Sequence, residues 1–373
     1  MFVSLNGWAP LVSELKAVLF LIYMIAMIQS VSAAAQSDAD IRIIRSAMLA
    51  LACFFILGSM ATIPFPNIGR SMQVLKYEEW GISVNASELT SFFNGMTVHS
   101  QTLGPLVAML NALLLSDYLC NFTKKQPLYR VLLAAAPVLI YMTSSRTALF
   151  AYLVSILASV FFFMGQRHVA RAKKSRILMN VLLGGILTVF LLILSPNKVN
   201  QMEAFLRKTE KVEDIDHTAL LPESILKSRI GSIENGIYNF SQSPIVGNGF
   251  QVSEEMKDMS TSETGWIISA PIEKGVLPVM ILEEGGVIGA VLFALFVFNL
   301  YVKYNRLRFC CFLSTFTVFI MLSFGEAVFF SMSGLGGISW VICFCALLMD
   351  VLRHKRALAE CASVTGFRTQ RVD

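Results

Sequence analysis

A soluble chain of 373 residues would fold as two or three domains. Here 55% of the residues are hydrophobic and only 15% charged, with 28 Phe and 18 Met, whereas soluble domains carry about 25% charge and cannot hide this much apolar surface. A mean hydropathy of +0.64 also excludes a disordered chain. What remains is an all-α polytopic membrane protein, built at about 20 apolar residues per span. The net charge of +5 is no argument for nucleic acid, because the charges belong to different sides of the membrane, and no nucleic-acid partner is expected.

In chain order, apolar runs at 17–35, 46–63, 103–120, 128–142, 147–164, 177–194, 276–301, 309–330 and 335–351 predict about nine transmembrane helices, within a range of 8–11. The run at 128–142 is short. Alternate connections containing Arg42 and Arg45, Lys124 to Arg130, Arg167 to Arg176, Lys303 to Arg308, and Arg353 to Arg371 hold 18 of the 30 Lys and Arg. That set is read as cytoplasmic and the other as outward. The division is an N-terminal transmembrane bundle at 1–194, a large periplasmic loop at 195–274 between the sixth and seventh helices, C-terminal transmembrane helices at 275–351, and a basic, loose cytoplasmic tail at 352–373. The amino terminus then lies outside, 16 residues before the first span. Met1–Pro10 has neither a basic n-region nor an A-x-A cleavage site. An outside terminus is unusual and leaves open a missing upstream helix.

The seven cysteines fall in spans or on the cytoplasmic side, so no extracytoplasmic disulfide framework is expected. They read as buried small residues.

Polar residues concentrate in four places. Ser144-Ser145-Arg146-Thr147 forms the outward start of a span; a helix start with a serine cap and an adjacent Arg suits an anion, and equally a snorkelling Arg. In the loop 195–274, too long for an idle connector, Pro222 opens a helical pattern. Leu226, Ile230, Ile233, Ile237 and Phe240 recur at helical spacing beside Arg229, and if that stripe packs on the membrane domain, Arg229 points toward the outer mouth. It ends in Pro244-Ile245-Val246-Gly247-Asn248-Gly249, either a tight turn or a set of backbone amides facing an anion. Glu273-Lys274 and then Glu283-Glu284-Gly285-Gly286 place carboxylates at or inside an apolar run, where such groups face a cavity or a partner. Asp38-Ala39-Asp40 and Asp214-Ile215-Asp216-His217 have the residue types of divalent-cation ligands but sit in charged surroundings and read as solvated loops, so no metal is expected. No phosphate loop, G-x-G-x-x-G or nucleophile elbow occurs, and no cofactor is expected.

Ser145-Arg146, then Arg229 with Pro244 to Gly249, then Glu284-Gly285-Gly286-Val287-Ile288-Gly289, in this order and sidedness, resemble the O-antigen ligase and polymerase superfamily of bacterial inner-membrane proteins. The likeness runs over roughly residues 100–330. It implies a multi-pass glycosyltransferase with its active site facing the periplasm, moving a glycan from polyprenyl diphosphate (undecaprenyl diphosphate) to a sugar hydroxyl. The implied partners are the lipid-linked glycan donor, a glycan acceptor, the bilayer and a chain-length regulator. The resemblance implies that Arg146 and Arg229 clamp the diphosphate, with Ser145, Lys274, Gly247, Gly249 and Glu284 around the substrate. Glu273 is the expected base and Glu284 the second choice. Where the ligases carry a His, close to Gly275, this chain has Glu273-Lys274, similar to exopolysaccharide and capsule polymerases. A polymerase is therefore preferred over a ligase. A non-catalytic lipid-glycan transporter and a metal-dependent transferase using Asp214 and Asp216 are the alternatives.

Overall fold

Backbone in lipid has no water to bond, so each apolar run must satisfy its own amides and does so as a helix. The computed structural model describes residues 11–36, 41–64, 93–97, 100–121, 127–143, 145–165, 230–249, 276–325, 328–331 and 334–369. Among them there is no strand. We number the helices α1 (Leu11–Gln36), α2 (Ile41–Thr62), α3 (Ser100–Asn121), α4 (Pro127–Met142), α5 (Arg146–Met164), α6 (Ile230–Gln242), α7 (Leu277–Arg306), α8 (Cys310–Ser323) and α9 (Gly334–Thr369). Within α2, Cys53–Leu57 is a π-helical turn.

Eight of the nine predicted runs coincide with helices, and the run at 177–194 lies outside the described residues. Six helices, α1, α2, α3, α5, α7 and α9, are long and apolar enough to cross a membrane. The other two, α4 and α8, are apolar but shorter. The run predicted over 309–330 stops being helical at Ser323, which leaves α8 at 14 residues and about 21 Å, short of a hydrocarbon core of about 30 Å. At the other extreme α9 does not end with its apolar stretch. It continues as helix to Thr369 through the tail expected to be loose.

The central element is α3, buried along most of its length and packed against α4, α5, α8 and α9. Its closest partner, α5, turns a stripe of small residues inward: Ala148, Ala151, Ser155, Ala158 and Ser159 are buried, while Leu153, Leu157 and Phe161 point out. Small residues let two backbones approach in lipid, and the large side chains on the opposite face meet acyl chains. Two polar contacts fix the register: Asn111 Nδ2 donates to Ser155 Oγ at 2.7 Å, and Ser159 Oγ to the carbonyl of Ala112 at 3.4 Å.

Helix ends gather at two levels, as the alternation of basic loops predicts. At the basic end, Asp117 of α3 accepts from Tyr129 Oη of α4 at 2.6 Å and from Arg353 of α9, and Arg45 Nε of α2 lies 3.1 Å away. Asp350 accepts from Arg353 Nη1 and from the Phe312 amide of α8, each at 2.9 Å. Two carboxylates and two guanidiniums thus tie five helices together, and Lys355 Nζ reaches the carbonyl of Ala35 in α1. Both aspartates are buried. At the opposite end, Gly104 of α3 lies against Thr143, Ser145 and Ala148, and Gly325 after α8 lies against Thr147.

Candidate functional site

At the end opposite the charge cluster, α5 begins. Ser145 is its N-cap: the residue is extended, and its Oγ accepts from the Ala148 amide at 3.3 Å. This is the serine role that the sequence predicts. Arg146 follows at the first helical position, half-buried.

The loop turn and the glutamate motif meet in α7. The helix breaks at Gly286, whose φ of 59° and ψ of −163° interrupt the ladder. The amides of Val287 and Ile288 would ordinarily bond to the carbonyls of Glu283 and Glu284, four residues back. They bond instead to the carbonyls of Pro244 and Ile245 in the turn, at 2.9 and 3.2 Å. The released carbonyls of Glu283 and Glu284 accept from the amides of Asn248 and Gly249, at 2.8 and 3.1 Å. Two helical rungs are exchanged for four bonds to the turn. Glycine is required on both sides of this exchange. A Cβ on Gly247 (φ 75°) would stand 2.4 Å from the Glu284 carbonyl, and one on Gly286 would stand 2.4 Å from that of Ile245.

The amides of the turn are taken up within the chain. The Gly247 amide donates to the Ser243 carbonyl at 2.9 Å, and those of Asn248 and Gly249 go to α7. All three are engaged within the chain, and those of Asn248 and Gly249 help to seat the turn on α7.

Side chains reinforce the seat. Asn239 of α6 donates through Nδ2 to Glu283 Oε1 at 3.0 Å, and Asn248 Nδ2 donates to the Asn239 carbonyl at 2.7 Å. Gly236 of α6 lies against Val279. The face of α6 that meets α7 therefore runs through Gly236 and Asn239. Of the apolar stripe, Ile230 and Ile237 stay exposed. A small residue and an amide fit a close approach to α7 better than branched side chains do.

Glu283 and Glu284 are each 5% exposed, but their surroundings differ. Glu283 belongs to the seat, while Glu284, with Gly285 and Gly289, borders a cavity of about 310 Å³. Phe20 and Met24 of α1, Phe329, Phe330 and Trp340 line the rest of it. Another cleft, about 630 Å³, lies between α7 and α8 and is lined by Ile281, Phe293, Val297, Ile320 and Phe324 among others.

The structure thus brings Gly247, Gly249 and Glu284 together and sets Ser145 and Arg146 at the same end of the bundle. Arg229, Glu273 and Lys274 lie outside the described residues, as do Ser144, Asp214, Asp216 and His217. Sequence reasoning missed Asn239 and Asn248. The signal was present: an asparagine ahead of the turn and another within it, near a carboxylate that needs a donor.

An all-helical membrane bundle whose polar features meet where a loop turn docks into a broken helix defines the class. Residues 130–274 match the family model described as O-antigen ligase. This stretch carries that family's domain, and the likeness to the O-antigen ligase and polymerase superfamily read from the motifs holds. Members of the family are glycosyltransferase-type enzymes, and the match suggests glycan transfer of the ligase or polymerase type. No curated protein matches the chain.

Proposed function

We propose that the protein is a polysaccharide polymerase of the bacterial inner membrane, joining polyprenyl-diphosphate-linked repeat units at the periplasmic face and releasing polyprenyl diphosphate. The observation that carries this reading is the docking of the Pro244–Gly249 turn into α7 at Glu283–Gly286, which joins a motif of the family-matched stretch to the glutamate motif beyond it. The activated bond is already in the donor, so two tasks remain for the protein.

The first is to hold the departing diphosphate. Arg146, at a capped helix start, can offer a two-pronged guanidinium together with the positive end of α5. Arg229, directly before α6, is the second arm. The second task is to take the proton of the attacking hydroxyl. Glu273 is the base in this reading, with Glu284 the second choice. The cavity beside Glu284, walled by Phe20, Met24, Phe293, Phe296 and Phe329, suits an isoprenoid tail below the diphosphate. Metal plays no part in the reading, and the tail, acceptor and regulator are its partners.

The test is an incubation of purified protein with a polyprenyl-diphosphate oligosaccharide and no other acceptor. A ladder of longer lipid-linked glycans is expected. Arg146→Ala and Arg229→Ala should each reduce it by roughly 100-fold or more while the protein still inserts. Transfer only to an added lipid acceptor would make it a ligase, the reading that the family's name favours. Movement of the donor across vesicles without a covalent product would make it a transporter. Normal activity in either Arg variant overturns the clamp.

A further inference from the structure

The seat of the turn also fixes its depth. Lys303 and Arg306 close α7 and mark one membrane surface. From Lys303 the helix is unbroken back to Gly286, a rise of about 26 Å. That is less than a hydrocarbon core of about 30 Å, so Gly286, and with it the turn bonded to it, lies just inside the far edge of the core. From Gly236 against Val279 to Asn239 against Glu283 and Pro244 against Val287, α6 runs alongside α7 in the same direction. It therefore descends toward the membrane and delivers the turn as a re-entrant tip.

Two independent features suit a tip in lipid. Irregular backbone at that depth must find its hydrogen bonds inside the protein. The amides of Gly247, Asn248 and Gly249, the carbonyls of Pro244 and Ile245, and the amides of Val287 and Ile288 all do so. A turn standing in water has no such need. The outward side chains are also apolar: Ile245 is 65% exposed, Val287 50% and Ile288 49%. They continue the outward stripe of Val291, Leu292 and Leu295 on a helix that crosses the bilayer. Above them Tyr238, also exposed, falls at the headgroup level favoured by tyrosine.

We infer that the Pro244–Gly249 turn is a lipid-embedded wedge, with Ile245 and Ile288 in contact with acyl chains of the leaflet nearest Leu277. Its occupant is bilayer lipid. The loop segment that carries α6 is then partly a membrane element.

The test uses the full chain in nanodiscs of phosphatidylethanolamine and phosphatidylglycerol, with a benzophenone amino acid placed at 245, 288 or 235. Asn235 is exposed on α6 above the turn. After irradiation, mass spectrometry should find acyl-chain adducts at 245 and 288, at least 10-fold above those at 235. Equal yields at 245 and 235 overturn the inference. A second measurement covers local distortion by the bulky probe. Ile245→Trp should be quenched by lipids brominated on the acyl chains and protected from aqueous acrylamide, and the reverse pattern overturns the wedge.

Discussion

A carboxylate near the end of an apolar helix persists only when its charge is answered, and Asp117 is answered by Arg45, Arg353 and the Tyr129 hydroxyl. The pair with Arg353 is largely shielded, its guanidinium being 20% exposed. Removing one partner of such a set leaves the other charges without compensation, at a cost of about 3 kcal/mol. Asp117→Ala should lower the thermal midpoint in detergent substantially, and an unchanged midpoint would refute the role given to the cluster. Gly286→Ala tests the other end. The methyl group would enter the Ile245 carbonyl at a positive φ, so we expect a loss of about 2 kcal/mol or more together with loss of transfer activity. A variant as stable and active as the parent would mean that the turn does not seat there. The rule that flags Glu283 and Glu284, a carboxylate inside an apolar run, applies equally to Asp117 and Asp350. Both were legible. What a single sequence does not reveal is the partner: Arg353 is separated from Asp117 by 236 positions.

Elements follow the period of their side chains only where one surface is at stake. In α5, small residues at 148, 151, 155 and 158 recur at helical spacing and predict the face against α3, while Leu153, Leu157 and Phe161 mark the lipid side. Ser155→Leu should overfill that contact and break the Asn111 bond, destabilising by about 1–3 kcal/mol, whereas Leu157→Ala, on the outward face, should be nearly neutral. Denaturant unfolding of the two variants side by side decides this, and equal effects would count against the assigned faces. For α6 the same periodicity does not mark the face that meets α7. Close approach to α7 selects Gly236 and Asn239. The break in α7 was hidden for a related reason. Gly285 and Gly286 carry no local sign of a break, because the bonds that sustain it come from a turn elsewhere in the chain.

At the scale of the whole molecule, the alternation of basic connections separated the two ends before any coordinate was known, and the helix contacts group them the same way. Arg45, Asp117, Arg308 and Arg353 lie toward one end, with Ser59, Ser145, Gly236 and Gly325 toward the other. Composition and periodicity suffice for this because lipid admits few architectures. The site was legible as separate motifs. Their assembly was not, since it depends on carbonyls set free by a kink.

The charge cluster also bears on how the protein is made. Arg45, Asp117 and Tyr129 are synthesised before Arg353 and Asp350, which arrive with α9. Until then Asp117 has only part of its set, and α8 has no side chain to receive its Phe312 amide. Docking of α9 therefore completes the cluster, and a chain stopped after residue 330 should be cleared by membrane proteases. Pulse-chase labelling is the measurement: a half-life equal to that of the full chain would show that the early helices are finished without it.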